Sequence, residues 1–124
     1  MPEAKIKVKL IRDEIRPSTD VEFWNKSAED NAYFAETYGN PGLLISEELV
    51  LSDDQLTRTR IQNWNLMPGL ITTIAADQYI KGMIARNVAY NEGAGITRDQ
   101  QTFEMTDANG VVISVGTFPN GQTA

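Results

Sequence analysis

An α+β domain, with one antiparallel sheet and its helices on a single face, is the architecture that this 124-residue sequence predicts, and three observations carry it. Ile6, Val8 and Leu10 alternate with Lys5, Lys7 and Lys9, the period of two that gives a strand one apolar and one charged face. Leu43 to Trp64, LLISEELVLSDDQLTRTRIQNW, reads as two strand arms around a turn. Between and after them, residues 18–39 and 66–90 carry apolar and aromatic side chains at helical spacing. Strand, helix, strand, strand, helix, strand is the order of a ferredoxin-like sandwich, a four-stranded antiparallel sheet with both crossover helices packed on one face.

The first strand ends near Arg16-Pro17, because proline lacks the ladder amide and disfavours helix in the residue before it. Thr19 with Glu22 three residues on has the pattern of a capping box, so a helix is expected from there, with a second start at Ser27. Gly39-Asn40-Pro41-Gly42 stops it. In the hairpin, Leu43, Ile45, Leu49 and Leu51 are expected on one face of the first arm, and Ser52-Asp53-Asp54-Gln55 supplies the turn. The second arm places Arg58 and Arg60 on one face with Leu56, Gln62 and Trp64.

The stretch from Leu66 to Tyr90 does not keep a single apolar stripe. Met67, Leu70, Ile71 and Ile74 form one, and Ile80, Met83, Ile84 and Val88 form a rotated second, which predicts a break at Ala76-Asp77 with Asp77 capping the second piece. Gly93-Ala94-Gly95 ends that piece. Ile96 to Met105 reads as a last strand, and Asp107-Ala108-Asn109-Gly110 before Val111 to Val115 leaves the C-terminus as one strand or a hairpin. The residues from about 117 read as a loose tail on a single domain spanning 1–124.

Seventeen Asp and Glu against eleven Lys and Arg give a net charge of -6, which weighs against nucleic acid as a partner. Neither Cys nor His is present. That removes thiol nucleophiles, disulfides, thiolate metal sites and the commonest general base near neutral pH, and no metal or cofactor is expected. No run approaches the ~20 apolar residues of a spanning helix, so no membrane association is expected and a soluble, cytoplasmic protein is the default.

The aromatic side chains Trp24, Tyr33 and Trp64, with Asn63 beside them, are candidates to line a cleft between the first helix and the sheet for a small, flat apolar ligand. The plainer reading makes the aromatics core. Arg58 and Arg60 are candidates for gripping an anion or for an interface between subunits, against the plainer reading of a solvated sheet face. The pairs Glu29-Asp30, Glu47-Glu48 and Asp53-Asp54 are adjacent in sequence and do not converge as acid-base catalysis or a metal site requires.

The run EELVLSDDQLTRTRIQNW, through the split helix to ARNVAYNEGAGI, resembles the dimeric α+β barrel proteins, especially small uncharacterised members known from marine environmental sequence. The resemblance covers roughly Lys5 to Met105 and implies a homodimer joined through the open sheet face. The superfamily includes haem-degrading enzymes, disfavoured here by the missing axial His, and cofactor-independent monooxygenases. A homodimeric, non-catalytic binding or interaction module, for a small apolar molecule, is therefore the first expectation. Its alternatives are a cofactor-independent oxygenase using the Asn63, Trp64 and Trp24 region, and an accessory protein of a marine phage.

Overall fold

The computed structural model describes residues 6–67, 69–99 and 101–117. At the centre of its sheet lies β1 (Lys7–Ile15), followed in the chain by α1 (Ala28–Phe34), the hairpin β2 (Leu44–Leu51) and β3 (Thr57–Asn65), then α2 (Leu70–Ala76) and α3 (Gln78–Ala94). Three short strands follow: β4 (Thr97–Arg98), β5 (Thr102–Thr106) and β6 (Val112–Thr117). The spatial order is β2-β3-β1-β5-β6, every pairing antiparallel, with β4 on β1 beyond the end of β5.

The expected four-stranded ferredoxin-like sheet with two helices, the unit of a dimeric α+β barrel, is thus corrected to six strands and three helices among the described residues. The extra strands come from the C-terminus. Residues 96–105 do not run as one strand because the chain leaves the ladder after Arg98, where Arg12 Nη1 donates to the Asp99 carbonyl at 2.6 Å and Gln101 turns inward to 4 % exposure. Beyond β5 the Asp107 side chain accepts from the Asn109 and Val111 amides, Gly110 takes a φ of 80°, and the chain returns as β6. Gly116 faces Phe103 across that hairpin, and a Cβ there would lie 2.7 Å from the ring. The loose tail falls, from residue 118, outside the described residues.

The first helix begins at Ser27, the second of the two starts. Ser27 Oγ accepts from the Asp30 amide at 3.1 Å and the Asp30 carboxylate accepts from the Ser27 amide at 3.0 Å, a complete capping box. Thr19 starts no helix because the following carbonyls are taken by side chains from elsewhere: Val21 accepts from Arg16, Glu22 from Tyr90 and Trp24 from Arg58. Past Phe34 the helix widens into a π-helical turn, Ala35–Gly39, whose Ala35 carbonyl accepts from the Asn40 amide at 2.7 Å.

The break between the later helices falls where the two stripes predict it. Asp77 Oδ1 accepts from the Tyr79 and Ile80 amides, at 2.9 and 3.1 Å, and starts α3. Its other oxygen accepts from the hydroxyls of Tyr33 and Tyr38, which ties the first helical segment to the third.

All three helices contribute to one core with the sheet face that bears Val8 and Trp64; Phe34, Tyr38, Leu70, Ile80 and Met83 complete it. A bulge between Leu44 and Ser46 shifts the register of β2, so Leu44, Glu47, Leu49 and Leu51 share the helix-covered side, and Ile45 is exposed. The opposite face is mixed: Ile11 pairs with Ile61 at its centre, flanked by the in-register pairs Lys9 with Glu104 and Asp13 with Thr59. Among the described residues no helix is long and apolar enough to cross a membrane.

Candidate functional site

Side chains paired across an antiparallel sheet point to the same side, so the register divides the helix-covered face into rows. Leu44, Trp64, Val8 and Met105 form one; Glu47, Gln62, Leu10 and Phe103 the next; then Leu49, Arg60 and Arg12; and finally Leu51, Arg58, Glu14 and Arg98. One end of the face is apolar and the other carries four guanidinium groups. The buried stripe of α3 follows the same gradient, with Ile80 and Met83 at its start and Asn87 and Asn91 at its end. Val88, expected in that stripe, is 37 % exposed, and Asn87 and Asn91 are buried because they meet the charged rows.

Over the apolar end, between sheet and helices, lies a partly open cleft of about 90 Å³. Val8, Trp64, Phe34, Leu70, Ile80 and Met83 belong to its wall. Among the described residues its polar lining consists of Lys26, Arg60, Gln62 and Gln101. Three of these sit in or beside one chain of contacts: Lys26 Nζ lies 2.6 Å from Glu47 and 4.6 Å from the centre of the Phe34 ring, Gln62 donates to Glu47 at 2.5 Å, and Trp64 Nε1 donates to Gln62 at 3.2 Å. Arg60 is held less closely, its Nε 4.0 Å from Glu47.

Behind the cleft, Glu14 is 2 % exposed and is the carboxylate shared by the charged rows. It accepts from Arg58 Nη2 at 2.8 Å and from Asn91 at 3.3 Å. Burial alone would raise its pKa, but the Arg58 hydrogen bond and the charges of Arg60 and Arg58 outweigh burial, so Glu14 stays ionised below the usual carboxylate range. Arg58 is engaged through both terminal nitrogens, donating also to Asn25 and to the Trp24 carbonyl, with Phe23 stacked 4.7 Å from its guanidinium carbon. Arg12, 4 % exposed, is lowered to about 10, first by burial and then by the charge of Arg98, with Glu14 opposing. Arg60 stands directly across from Arg12, a like-charge pair in a buried face.

Among the expected site residues, Trp64 lines the cleft and is 3 % exposed. Trp24 packs against the core, and Tyr33 stacks on Tyr79 at 4.2 Å with its hydroxyl on Asp77, so both support the fold around the cleft. Asn63 points to the open face, where it donates to Ser46 at 3.0 Å; neighbours on a strand face opposite ways, and Asn63 and Trp64 do not converge. Arg58 and Arg60 lie on the helix-covered face, Arg58 as a structural tie and Arg60 in the cleft wall. Lys26, Gln62 and Gln101 were not among the sequence candidates. Gln62 alone had a readable signal, its place in the Arg58, Arg60, Trp64 alternation.

Among the described residues no group of three or more carboxylates, Cys or His is placed to hold a metal ion. No protein-family model matches the chain, and neither a curated protein nor a solved structure matches it.

Proposed function

We propose that this domain is a non-catalytic binding module whose sheet-helix cleft takes a small apolar ligand. The observation that carries the reading is the composition of the cleft: apolar side chains from three strands and three helices, with a few polar groups among them. That is the usual build of a small-molecule site, in which apolar walls supply affinity and a few fixed polar groups supply orientation. At about 90 Å³ it is smaller than the ~150 Å³ cavity that holds a benzene ring, so the occupant is slim or extends through the mouth. A homodimer through the open face belongs to the same reading, supported by Ile11 and Ile61 in register at its centre.

Titration with hexan-1-ol, followed by amide and methyl chemical shifts, tests it. Saturable shifts at the Trp64 indole and the Met83 and Met105 methyls are expected, and their loss in Ile74→Trp, which fills the cleft. Shifts that stay linear, or persist unchanged in the filled variant, overturn the reading.

A further inference from the structure

The charged end of the covered face holds more positive charge than its carboxylates balance. Arg12, Arg58, Arg60, Arg98 and Lys26 gather there with Glu14 and Glu47, and Asp99 is exposed at the rim. Arg58 takes Glu14, and Lys26 takes Glu47 with both oxygens at 2.6 Å. That leaves Arg60, with the longer 4.0 Å contact to the same Glu47, and Arg98. Arg60 Nε, Arg98 Nε and Arg98 Nη2, like Arg58 Nε, are buried without a hydrogen-bond partner among the described residues, although each is a strong donor on a permanently charged group. The whole chain meanwhile carries a net charge of -6, so this concentration of cations is local and runs against the overall balance.

Buried charge with donors left unsatisfied is costly, and such groups call for an explanation, of which a ligand that completes them is one. Arg60 is the residue that joins this cluster to the cleft, since it lines the wall and also lies within electrostatic reach of Arg12 and Arg98. Resting on the cleft reading above, we infer that the ligand is a small amphipathic carboxylate: its apolar body lies against Trp64 and Met83 and its carboxylate sits on the Arg60 guanidinium, backed by Arg98. The planar guanidinium matches a carboxylate in a two-point contact, whereas the acidic surface of the chain disfavours multiply charged anions such as phosphate esters.

Matched ligands separate this inference from the one beneath it. Hexanoate, hexyl phosphate and hexan-1-ol are titrated near neutral pH by the same chemical-shift assay. The wild-type chain is expected to bind hexanoate about tenfold or more tighter than hexan-1-ol, and also tighter than hexyl phosphate. In Arg60→Gln the hexanoate-to-hexanol ratio falls toward one, and in Arg98→Gln it falls part of the way. Equal affinity for acid and alcohol in the wild type, a ratio that survives Arg60→Gln in a chain with an unchanged amide spectrum, or tighter binding of the phosphate overturns the carboxylate inference while leaving the cleft standing. Failure of all three ligands to bind overturns the cleft itself.

Discussion

The two ends of the helix-covered face rest on the same strands and the same long helix, yet opposite physics holds them. At the apolar end, Val8, Trp64, Phe34, Leu70, Ile80 and Met83 are removed from water, each large side chain contributing roughly 1.5–3 kcal/mol by transfer alone. At the charged end, burial works against the side chains, and what keeps them inside is pairing. Glu14 holds Arg58 and accepts from Asn91 of α3, and Arg58 in turn fastens the loop before α1 through Asn25 and the Trp24 carbonyl. An apolar core is indifferent to which neighbour fills it, provided the volume fits; a buried ionic cluster depends on every partner.

The sharpest way to break the contrast is Glu14→Gln, which keeps the shape and removes the charge. Deprived of that carboxylate, Arg58 and its neighbours are buried cations without compensation, and the expected loss is ~3–5 kcal/mol in urea unfolding. The same group sets part of the acid limb. Because its folded pKa is lowered, Glu14 contributes stability that is complete above the unfolded value of about 4.3 and is lost as pH falls below it. The wild type therefore weakens on acidification below that point more steeply than Glu14→Gln, and parallel curves would remove Glu14 from its central place.

Met83→Ala tests the other end. It deletes buried apolar volume beside the cleft, and a loss of about 3 kcal/mol is expected in the same measurement, with little dependence on salt or pH in contrast to Glu14→Gln. The smallest effect has the opposite sign. Arg60→Met replaces a half-buried guanidinium that faces Arg12 and whose Nε, 4.0 Å from Glu47, makes no hydrogen bond among the described residues, so the variant is expected to gain about 1 kcal/mol and to melt roughly 4 °C higher. A thermal scan that shows Arg60→Met melting lower would mean that Arg60 is a structural tie like Arg58. Gain of stability with loss of carboxylate preference is the pattern of a residue kept for binding.

Much of the fold was legible. The alternation in β1, the hairpin with its Ser52-Asp53-Asp54-Gln55 turn, and the break at Asp77 all appear where local pattern puts them, because each is decided within a few residues. Less legible were the features settled by distant groups. Thr19 and Glu22 form a sound capping pattern, but Arg16, Arg58 and Tyr90 claim the carbonyls that follow. The bulge at Ile45 turns the β2 alternation by one residue, and the strand split after Arg98 depends on Arg12 from the centre of the sheet. Of the candidate site, Trp64 and Arg60 were within reach as one-face neighbours, whereas Lys26 and Gln101 are brought in from a loop and from the gap between two strands.

Composition and short-range periodicity suffice for the mixed α+β class, the hairpin, the split of the second helical segment and the absence of His and Cys chemistry. The roles of Arg58, Arg60, Asn87 and Asn91 follow from how the layers assemble. On a single strand or helix they read as polar groups meant for water; once β1, β3, β4 and α3 close over one another, they become the interior of a charged cluster whose remaining donors meet the cleft at Arg60. Burial of a charge is a property of the assembled layers, because it depends on which side of the sheet the helices cover and on which carboxylates arrive with them.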